Sequence, residues 1–541
     1  MIESLRISCF HLSLTIFLLV LLHVSYALVT SDSVYDTFLH CLQKHTNESD
    51  QVSNIIYAQT NANYSTVLRN YIRNARFNTS STRKPLLIVT PSLESQVGAT
   101  VVCSQTIGIQ LRIRSGGHDF EGISYVSYNA PFIILDMFNF KSITVDTDDE
   151  SVWVQVGATL GELYYSIWEK SKVHGFPAGV CSTVGVGGHI SGGGYGTMMR
   201  KFGLTIDNVL DAKIVDVNGN VLDRKSMGED LFWAIRGGGG ASFGVVLSYK
   251  LKLVPVPETV SVFSFETILD RNTMTTDIVY RWQEVAPNID NALFMRLHLK
   301  PVNSMVRKRE KTIIASIMAL YLGKAKQLIS LLEEEFPELD LKKNDCTEMS
   351  WIDSVLWWNG FAVGTSPHAL LNRNLNSAGF LKRKSDYIQK LISKDGLEWV
   401  FKKMIESGKT GLALSPYGGR MSQISASETP FPHRAGNLYK IEYSVNWEEE
   451  GEEAEKNYIT QIRRLYSYMT PFVSKNPRSA FLNYRDLDIG ISSNDENSYE
   501  DGKVYGLKYF NDNFYRLVKV KTAVDPHNFF RNEQSIPTLP K

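Results

Sequence analysis

Residues 179–196 read GVCSTVGVGGHISGGGYG, and the earlier run 112–122 reads RIRSGGHDFEG. Each sets one nucleophilic side chain, Cys181 or His118, in a stretch where backbone can lie directly against a bound group. Glycine has no Cβ and tolerates positive φ, so Gly116, Gly117, Gly192 and Gly193 permit that approach. Consecutive N–H groups in such turns form anion-binding hollows suited to a pyrophosphate. The glycines come as doublets and a triplet, which does not fit the G-x-G-x-x-G dinucleotide fingerprint. A different cofactor cradle is implied.

Working outward, 86–95 (LLIVTPSLES) reads as a buried strand, a turn at Pro91 and a helix start with Ser92 as N-cap. The helix 94–107 should turn Val97, Val101, Val102 and Ile107 inward and carry Cys103. A strand at 110–114 then delivers the first glycine loop. Alternation in 151–156 (SVWVQV) marks another strand, and a helix opens across 157–163 and runs through Trp168. Further strands are expected at 212–217, near Val221 and at 245–252. Strand–helix–strand units with loops at the strand ends suit a cofactor-binding α/β layer. Pro255-Val-Pro257 marks a boundary. Beyond it, strands such as 260–267 and 293–300 alternate with helices such as 325–336 and 351–358, the pattern of an antiparallel sheet with helices on one side. A chain of 541 residues exceeds what one core covers, so two domains are expected.

Lys+Arg and Asp+Glu balance at 57 each, and no global field argues for nucleic acid. The basic run 307–311 (RKREK) contains Glu310 and reads as a solvated turn. Arg6, the apolar run 12–24 and Ser25-Tyr26-Ala27 read as a secretory signal spanning 1–27, too short for a comfortable membrane span. Secretion favours disulfides. Cys9 would leave with the signal, and Cys41, Cys103, Cys181 and Cys346 remain. Asn47, Asn63 and Asn78 open glycosylation sequons. The 11 histidines show no H-x-x-x-H or H-E-x-x-H spacing, so no metal is expected.

After the two glycine runs come GGGGASFGVV, SPYGG, PFPHRAG, FLNYRDLD and FFRNEQSIP, in that order. With them the chain resembles the plant berberine bridge enzyme-like family of FAD-linked oxidoreductases, of the vanillyl-alcohol-oxidase type, over nearly its whole mature length. The resemblance implies an α+β fold. A two-subdomain FAD-binding domain would occupy 28–257 and a substrate domain, an antiparallel sheet backed by helices, 258–475. The segment 476–541 would return to the first domain. FAD would be bonded covalently at its 8α carbon to His118 and at C6 to Cys181. The cradle carried over comprises Arg114, Ser115, Gly116, Gly117, Ser182, Val184, Gly185, Gly188, His189, Gly192, Gly193, Tyr195, Gly196, Val246 and Tyr484. The family's disulfide falls on Cys41 and Cys103, leaving Cys346 single. His189 falls near the flavin's pyrimidine edge, where a cationic or donating imidazole would stabilise the reduced ring. Val184 matches an oxygen-gate position, where a small β-branched residue resembles the oxygen-reactive members. Phe120 departs from members that carry tyrosine there, so their substrates do not transfer.

Residues 438–447 (LYKIEYSVNW) alternate, so Lys440, Glu442 and Ser444 share one face of a strand. Polar groups on a core strand are costly unless they line a cavity. Glu442 matches the family's catalytic glutamate, Tyr484 its active-site tyrosine, and Lys440 a lysine whose charge could lower a neighbouring phenol's pKa. The expectation is a secreted flavoprotein oxidase, extracellular, cell-wall or vacuolar. Glu442, with Tyr484, Lys440 and His189, would act on a phenolic, alcohol or other specialised metabolite, with dioxygen reduced to hydrogen peroxide. Alternatives are a redox-neutral cyclase or cycloaddition enzyme scaffolded on FAD, and an oligosaccharide oxidase. A silent binding protein is disfavoured because the His, Cys and Glu positions are all filled. The expected partners are a small-molecule substrate and dioxygen, with no membrane after signal cleavage, acting on a monomer.

Overall fold

The strand that delivers the first glycine loop, Gln110–Arg114, lies at the edge of a four-stranded sheet. Its order is Ile56–Ala58, Leu87–Val89, Phe132–Asp136, Gln110–Arg114. The computed structural model describes residues 31–46, 52–271, 274–373, 378–493 and 498–540. The expected signal and the sequon at Asn47 lie outside them. The last three strands of this sheet run parallel. Parallel neighbours need a crossover, and the helix Glu94–Thr106 supplies it between Leu87–Val89 and Gln110–Arg114.

Val97, Val101 and Cys103 are fully buried in this helix, whereas Val102 and Ile107 are only half-buried. The expected Ser92 cap is corrected. Leu93 already has extended backbone (φ −122°, ψ 145°), which places the N-cap one residue later. Gln96 reaches back instead, its Oε1 accepting from the N–H of Ser92 at 2.9 Å and of Leu93 at 3.3 Å. Cys103 bonds to Cys41 on the helix Ser31–His45, with Cα atoms 5.8 Å apart.

A second, antiparallel sheet follows the order Ile143–Asp146, Ser151–Gln155, Val245–Lys252, Val209–Val215, Val221–Leu222. The helix Leu160–Lys170 begins at Thr159, where a reciprocal pair of bonds fixes its start. Thr159 Oγ1 accepts from the Glu162 N–H, and the Glu162 carboxylate accepts from the Thr159 N–H.

The third sheet has seven antiparallel strands: Cys346–Met349, Val260–Ile268, Lys311–Tyr321, Leu293–Asn303, Gly411–Pro416, Tyr439–Trp447 and Phe380–Ile388. Strict alternation gives it two unlike faces. Leu293, Met295, Leu297, Ile313, Ala315, Ile317, Ile441 and Tyr443 enter one core with the helices Thr275–Val285, Ala325–Glu335, Lys394–Ser407 and Glu452–Tyr468. Arg296, His298, Lys440 and Glu442 occupy the opposite face. The helix Trp351–Trp358 lies on that opposite face, where Trp358 meets the Phe294 ring at 6.0 Å and the Arg296 guanidinium at 5.4 Å. Trp351 packs edge-on against Tyr164 at 5.6 Å and joins the first core. The tail helices Ser498–Phe510 and Asn513–Val524 also bury their apolar residues in that first core. No described helix is long and apolar enough to cross a membrane. Asn63 and Asn78 are exposed.

Candidate active site

Gly116 and Gly185 let the two glycine runs touch. A Cβ on Gly116 would lie 2.3 Å from the Gly185 N, and a Cβ on Gly185 2.3 Å from the Gly116 N. Gly117 has φ +65°, and a Cβ there would meet the Tyr71 carbonyl oxygen at 1.7 Å. This approach brings the two nucleophiles onto one hydroxyl. Thr183 Oγ1 lies 3.0 Å from His118 Nε2 and 3.5 Å from Cys181 Sγ. Burial, and then the Arg73 charge, push the His118 imidazole down to about 3, so the ring is neutral.

A cavity of about 480 Å³ opens on this pair. Ser115, Gly116, Gly117, His118, Cys181, Val184, Gly185, Gly188, His189, Gly192, Tyr195, Val246 and Tyr484 line it. Four cradle positions expected from sequence do not. Arg114 is committed to the core, donating to Asp136 at 2.6 Å and to the Leu68 and Val67 carbonyls at 2.8 Å. Ser182 is buried behind the wall, its carbonyl accepting from the Gly161 N–H at 2.8 Å. Gly193 (φ +121°) packs toward Phe431 and Phe481, and Gly196 lies against the Ala178 carbonyl. The cavity fits FAD on two counts. Its glycine loops leave no room for a Cβ at Gly116, Gly117 or Gly185, and Arg112 in its wall has buried Nε and Nη1 atoms without partners among the described residues, an opening for an anionic diphosphate.

Of the two forms expected for His189, cationic or donating, burial disfavours the cation. Burial, then Lys440, lower its pKa to about 4. Its Nε2 lies 3.2 Å from the Gly179 nitrogen and 3.1 Å from Thr205 Oγ1, and the imidazole is neutral.

The substrate-side wall comes from the polar face of the large sheet. Glu442 is 19% exposed, with Arg383 Nε 3.0 Å from its Oε1. That N–H is not aimed at the carboxylate, so this is a charge contact rather than a hydrogen bond. The Arg383 guanidinium lies over Phe120 at 5.5 Å, Phe120 packs on Tyr484 at 5.8 Å, and the Tyr484 hydroxyl meets that of Tyr195. Arg296 closes the ring over Tyr195 at 5.6 Å, its Nε buried without a partner. His298, on the same face, is pushed down to about 4 by burial and Arg296.

Lys440 is 1% exposed, and its Nζ has no hydrogen-bond partner among the described residues. It sits 3.3 Å from the Tyr195 ring centre and 4.2 Å from those of Phe481 and Tyr484. Desolvating an ammonium costs several kcal/mol, and ring faces return about 2 kcal/mol to a desolvated cation. Burial therefore wins and drives the amine well below its ordinary value, with Glu442 opposing and Arg296 adding to the fall. The expected effect on the phenol is corrected accordingly. Tyr484 is raised well above its ordinary value, by burial first and then by Glu442 and Tyr195.

Behind the site a buried ion cluster joins three distant segments. Lys382 Nζ donates to Glu121, three residues beyond His118, and to Asp486 at 2.7 Å, two residues beyond Tyr484. Lys384 adds bonds to Asp486 and, at 2.8 Å, to Asp488.

The sequence matches the family described as "FAD binding domain" over residues 85–224, which hold both glycine runs, and "Berberine and berberine like" over 480–537, which hold Tyr484. It is 59% identical to berberine bridge enzyme-like 21 of Arabidopsis thaliana over 513 residues, 94% of each chain. The chain belongs to the berberine bridge enzyme-like family. Among solved structures it is similar to berberine bridge enzyme from Eschscholzia californica (TM-score 0.86, 36% identity, 93% of this chain and 99% of that one). It is equally similar to the grass pollen allergen Phl p 4, described as having glucose dehydrogenase activity (TM-score 0.87, 40% identity, 93% and 100%). This berberine bridge enzyme-like protein is thus an FAD-dependent oxidoreductase of α+β fold.

Sequence reasoning missed Thr183, Arg296 and Arg383. For Arg296 a signal existed. The alternation that places Glu442 on the polar face does the same for Arg296 and His298 in the strand 293–300. Arg383 stands in LKRKSDY, which reads as an exposed charged run, and Thr183 has no distinguishing pattern.

Proposed function

We propose that this enzyme is a secreted, monomeric oxidase that holds FAD through two covalent bonds, to His118 and Cys181. In this reading Glu442 takes the proton of a substrate hydroxyl. The observation that carries the reading is that His118 and Cys181, from separate glycine runs, both line the cavity and both contact the one buried Thr183 hydroxyl. Two nucleophiles so placed can reach one edge of a single ring. FAD, when bound, supplies the two-electron acceptor and passes its electrons to dioxygen, giving hydrogen peroxide.

The family resemblance assigns the base to Glu442, and its acidic and basic neighbours on the substrate side suit that role less well. Tyr484 stays protonated, and Lys440 is shut behind the rings. Asp119 is occupied by the N–H groups of Glu121 at 2.8 Å and Ile123 at 3.2 Å. Glu442 remains, partly open to the cavity. Arg296 and Arg383 orient the substrate's polar groups, and Phe120 and Tyr195 flank it. Val184 lines the cavity, and its small side chain is read as leaving dioxygen a path.

The substrate class is a phenolic or other hydroxylated plant metabolite. The polar mouth of Arg296, Arg383 and Glu442 also favours a second reading, a carbohydrate oxidase. Wild-type Phl p 4.0202 is described as a glucose dehydrogenase, and a variant of Phl p 4 that gains valine for isoleucine as a glucose oxidase. Valine is the residue present here at 184.

Two measurements test the proposal. Acid-precipitated wild-type protein should stay yellow, as should His118→Ala or Cys181→Ala alone, while the double variant releases its flavin. Free FAD from the wild type refutes the double linkage. Anaerobic flavin bleaching against phenolic alcohols, benzylisoquinolines and cellodextrins, with peroxide formed on admitting air, identifies the class. Substrate turnover without bleaching would instead mean redox-neutral chemistry.

A further inference from the structure

Thr183 is 2% exposed, so its hydroxyl is shielded from solvent and can serve few partners. Two of them are the two proposed flavin anchors, His118 Nε2 at 3.0 Å and Cys181 Sγ at 3.5 Å. A β-branched side chain is stiff about χ1, so the oxygen is held between them rather than swinging. A hydroxyl donates one proton and accepts others, and it can therefore link a donor on one side to an acceptor on the other.

We propose that Thr183 is the positioning residue for flavin attachment, a one-hydroxyl relay that couples His118 to Cys181. This rests on the double-linkage reading above. In the productive arrangement His118 Nε2–H donates to Thr183 Oγ1, and the Thr183 O–H donates to the Cys181 sulfur as thiolate. The lone pair then lies on His118 Nδ1, the nitrogen free to bond carbon, and the thiolate is hydrogen-bonded and ready for its own bond. The charge nearby agrees with this arrangement. Arg73 disfavours a protonated His118. When Nδ1 bonds carbon, the imidazole becomes cationic, and its Nε2 proton leaves through Thr183 Oγ1 to the sulfur. Each attachment replaces one flavin C–H with a C–N or C–S bond and consumes one protein N–H or S–H. Two electrons leave each time and reduce dioxygen to hydrogen peroxide; one of the two protons it takes up is the flavin C–H proton, and the other comes from solvent at the first attachment, where the imidazole proton stays on sulfur, and from that S–H at the second.

The test compares Thr183→Val, which keeps the branched shape but removes the hydroxyl, with Thr183→Ser, which keeps the hydroxyl. Thr183→Ala serves as a second hydroxyl-free variant should valine not fold. Each protein is purified in the presence of FAD, its total flavin is read by absorbance, and it is then denatured and digested. Mass spectrometry scores flavin on the His118 peptide, the Cys181 peptide, both or neither, as a function of time. The hydroxyl-free variants should bind FAD yet form the doubly linked species about tenfold or more slowly, the size expected for losing a hydrogen bond to a charged group. Thr183→Ser should restore the wild-type rate. Doubly linked wild type together with equally fast doubly linked Thr183→Val or Thr183→Ala overturns the relay alone. Wild type with flavin on neither peptide overturns the double-linkage reading and the relay with it.

Discussion

Lys440→Met should make this protein more stable, and the gain should shrink as pH rises. The side chain is fully enclosed, its Nζ lacks any hydrogen-bond partner among the described residues, and three rings surround it. Methionine has a similar length and is apolar, so it fills the space without an orphaned donor, which is worth about 1–3 kcal/mol. The proton balance adds a pH-dependent part. Lys440 has its folded pKa well below the ordinary 10.5. Between that depressed value and 10.5 the unfolded chain binds one proton more than the folded one. Wild-type stability therefore rises with pH across this window, by about 1.4 kcal/mol per pH unit. Lys440→Met lacks this dependence, so its advantage is largest near neutrality and falls at that rate toward alkaline pH. Paired melting curves of the two proteins at stepped pH measure the difference directly and cancel every other titrating group. The reasoning fails if Lys440→Met is destabilising and the difference does not change with pH. That outcome would mean a charged ammonium held by the ring faces, and would restore Lys440 as a charge acting on Tyr484.

Glu442→Gln keeps size and hydrogen bonding but removes the base, and anaerobic flavin reduction should slow about 10²-fold or more, with substrate binding little changed. A near-wild-type reduction rate removes Glu442 from the role. Val184→Leu should slow flavin reoxidation by dioxygen while leaving anaerobic reduction nearly intact; unchanged reoxidation in stopped flow reduces Val184 to packing. Replacing Cys41 and Cys103 by alanine opens a loop of sequence separation 62, and the chain-entropy relation puts the loss near about 4 kcal/mol. Melting of the variant under non-reducing conditions checks it, and an unchanged transition contradicts the constraint.

Much of this site was legible because its chemistry is local. Two glycine runs announce close backbone approach, and Gly116 meeting Gly185 is the consequence. Alternation in 438–447 was enough to put Lys440 and Glu442 on one face, and the strand Tyr439–Trp447 does so. Sequence could not say which groups near the site are charged. The lowered proton affinities of Lys440, His189 and His118 follow from burial by segments far away in the chain. Nor could it separate Arg112, which lines the cavity, from Arg114, which is tied to Asp136, two residues along the same strand. No sequence signal marked the edge strand Phe380–Ile388, whose Lys382, Lys384 and Asp386 are all buried under the returning tail.

That buried edge explains how a tyrosine from the last sixth of the chain enters a site built by residues 115–192. Desolvating several charges is expensive, and replacing a buried ion cluster by apolar residues is often neutral or stabilising. Stability is therefore a poor reason for Glu121, Lys382, Lys384, Asp486 and Asp488 to be where they are. What the cluster does supply is a unique pairing. Apolar tail and apolar sheet could slide past one another, but Lys382 is satisfied only when Glu121 and Asp486 arrive together. Glu121 follows His118 by three residues and Asp486 follows Tyr484 by two. Fixing the cluster therefore fixes the distance between the loop that carries His118 and the phenol that faces it, with Phe120 packed between at 5.8 Å from the Tyr484 ring.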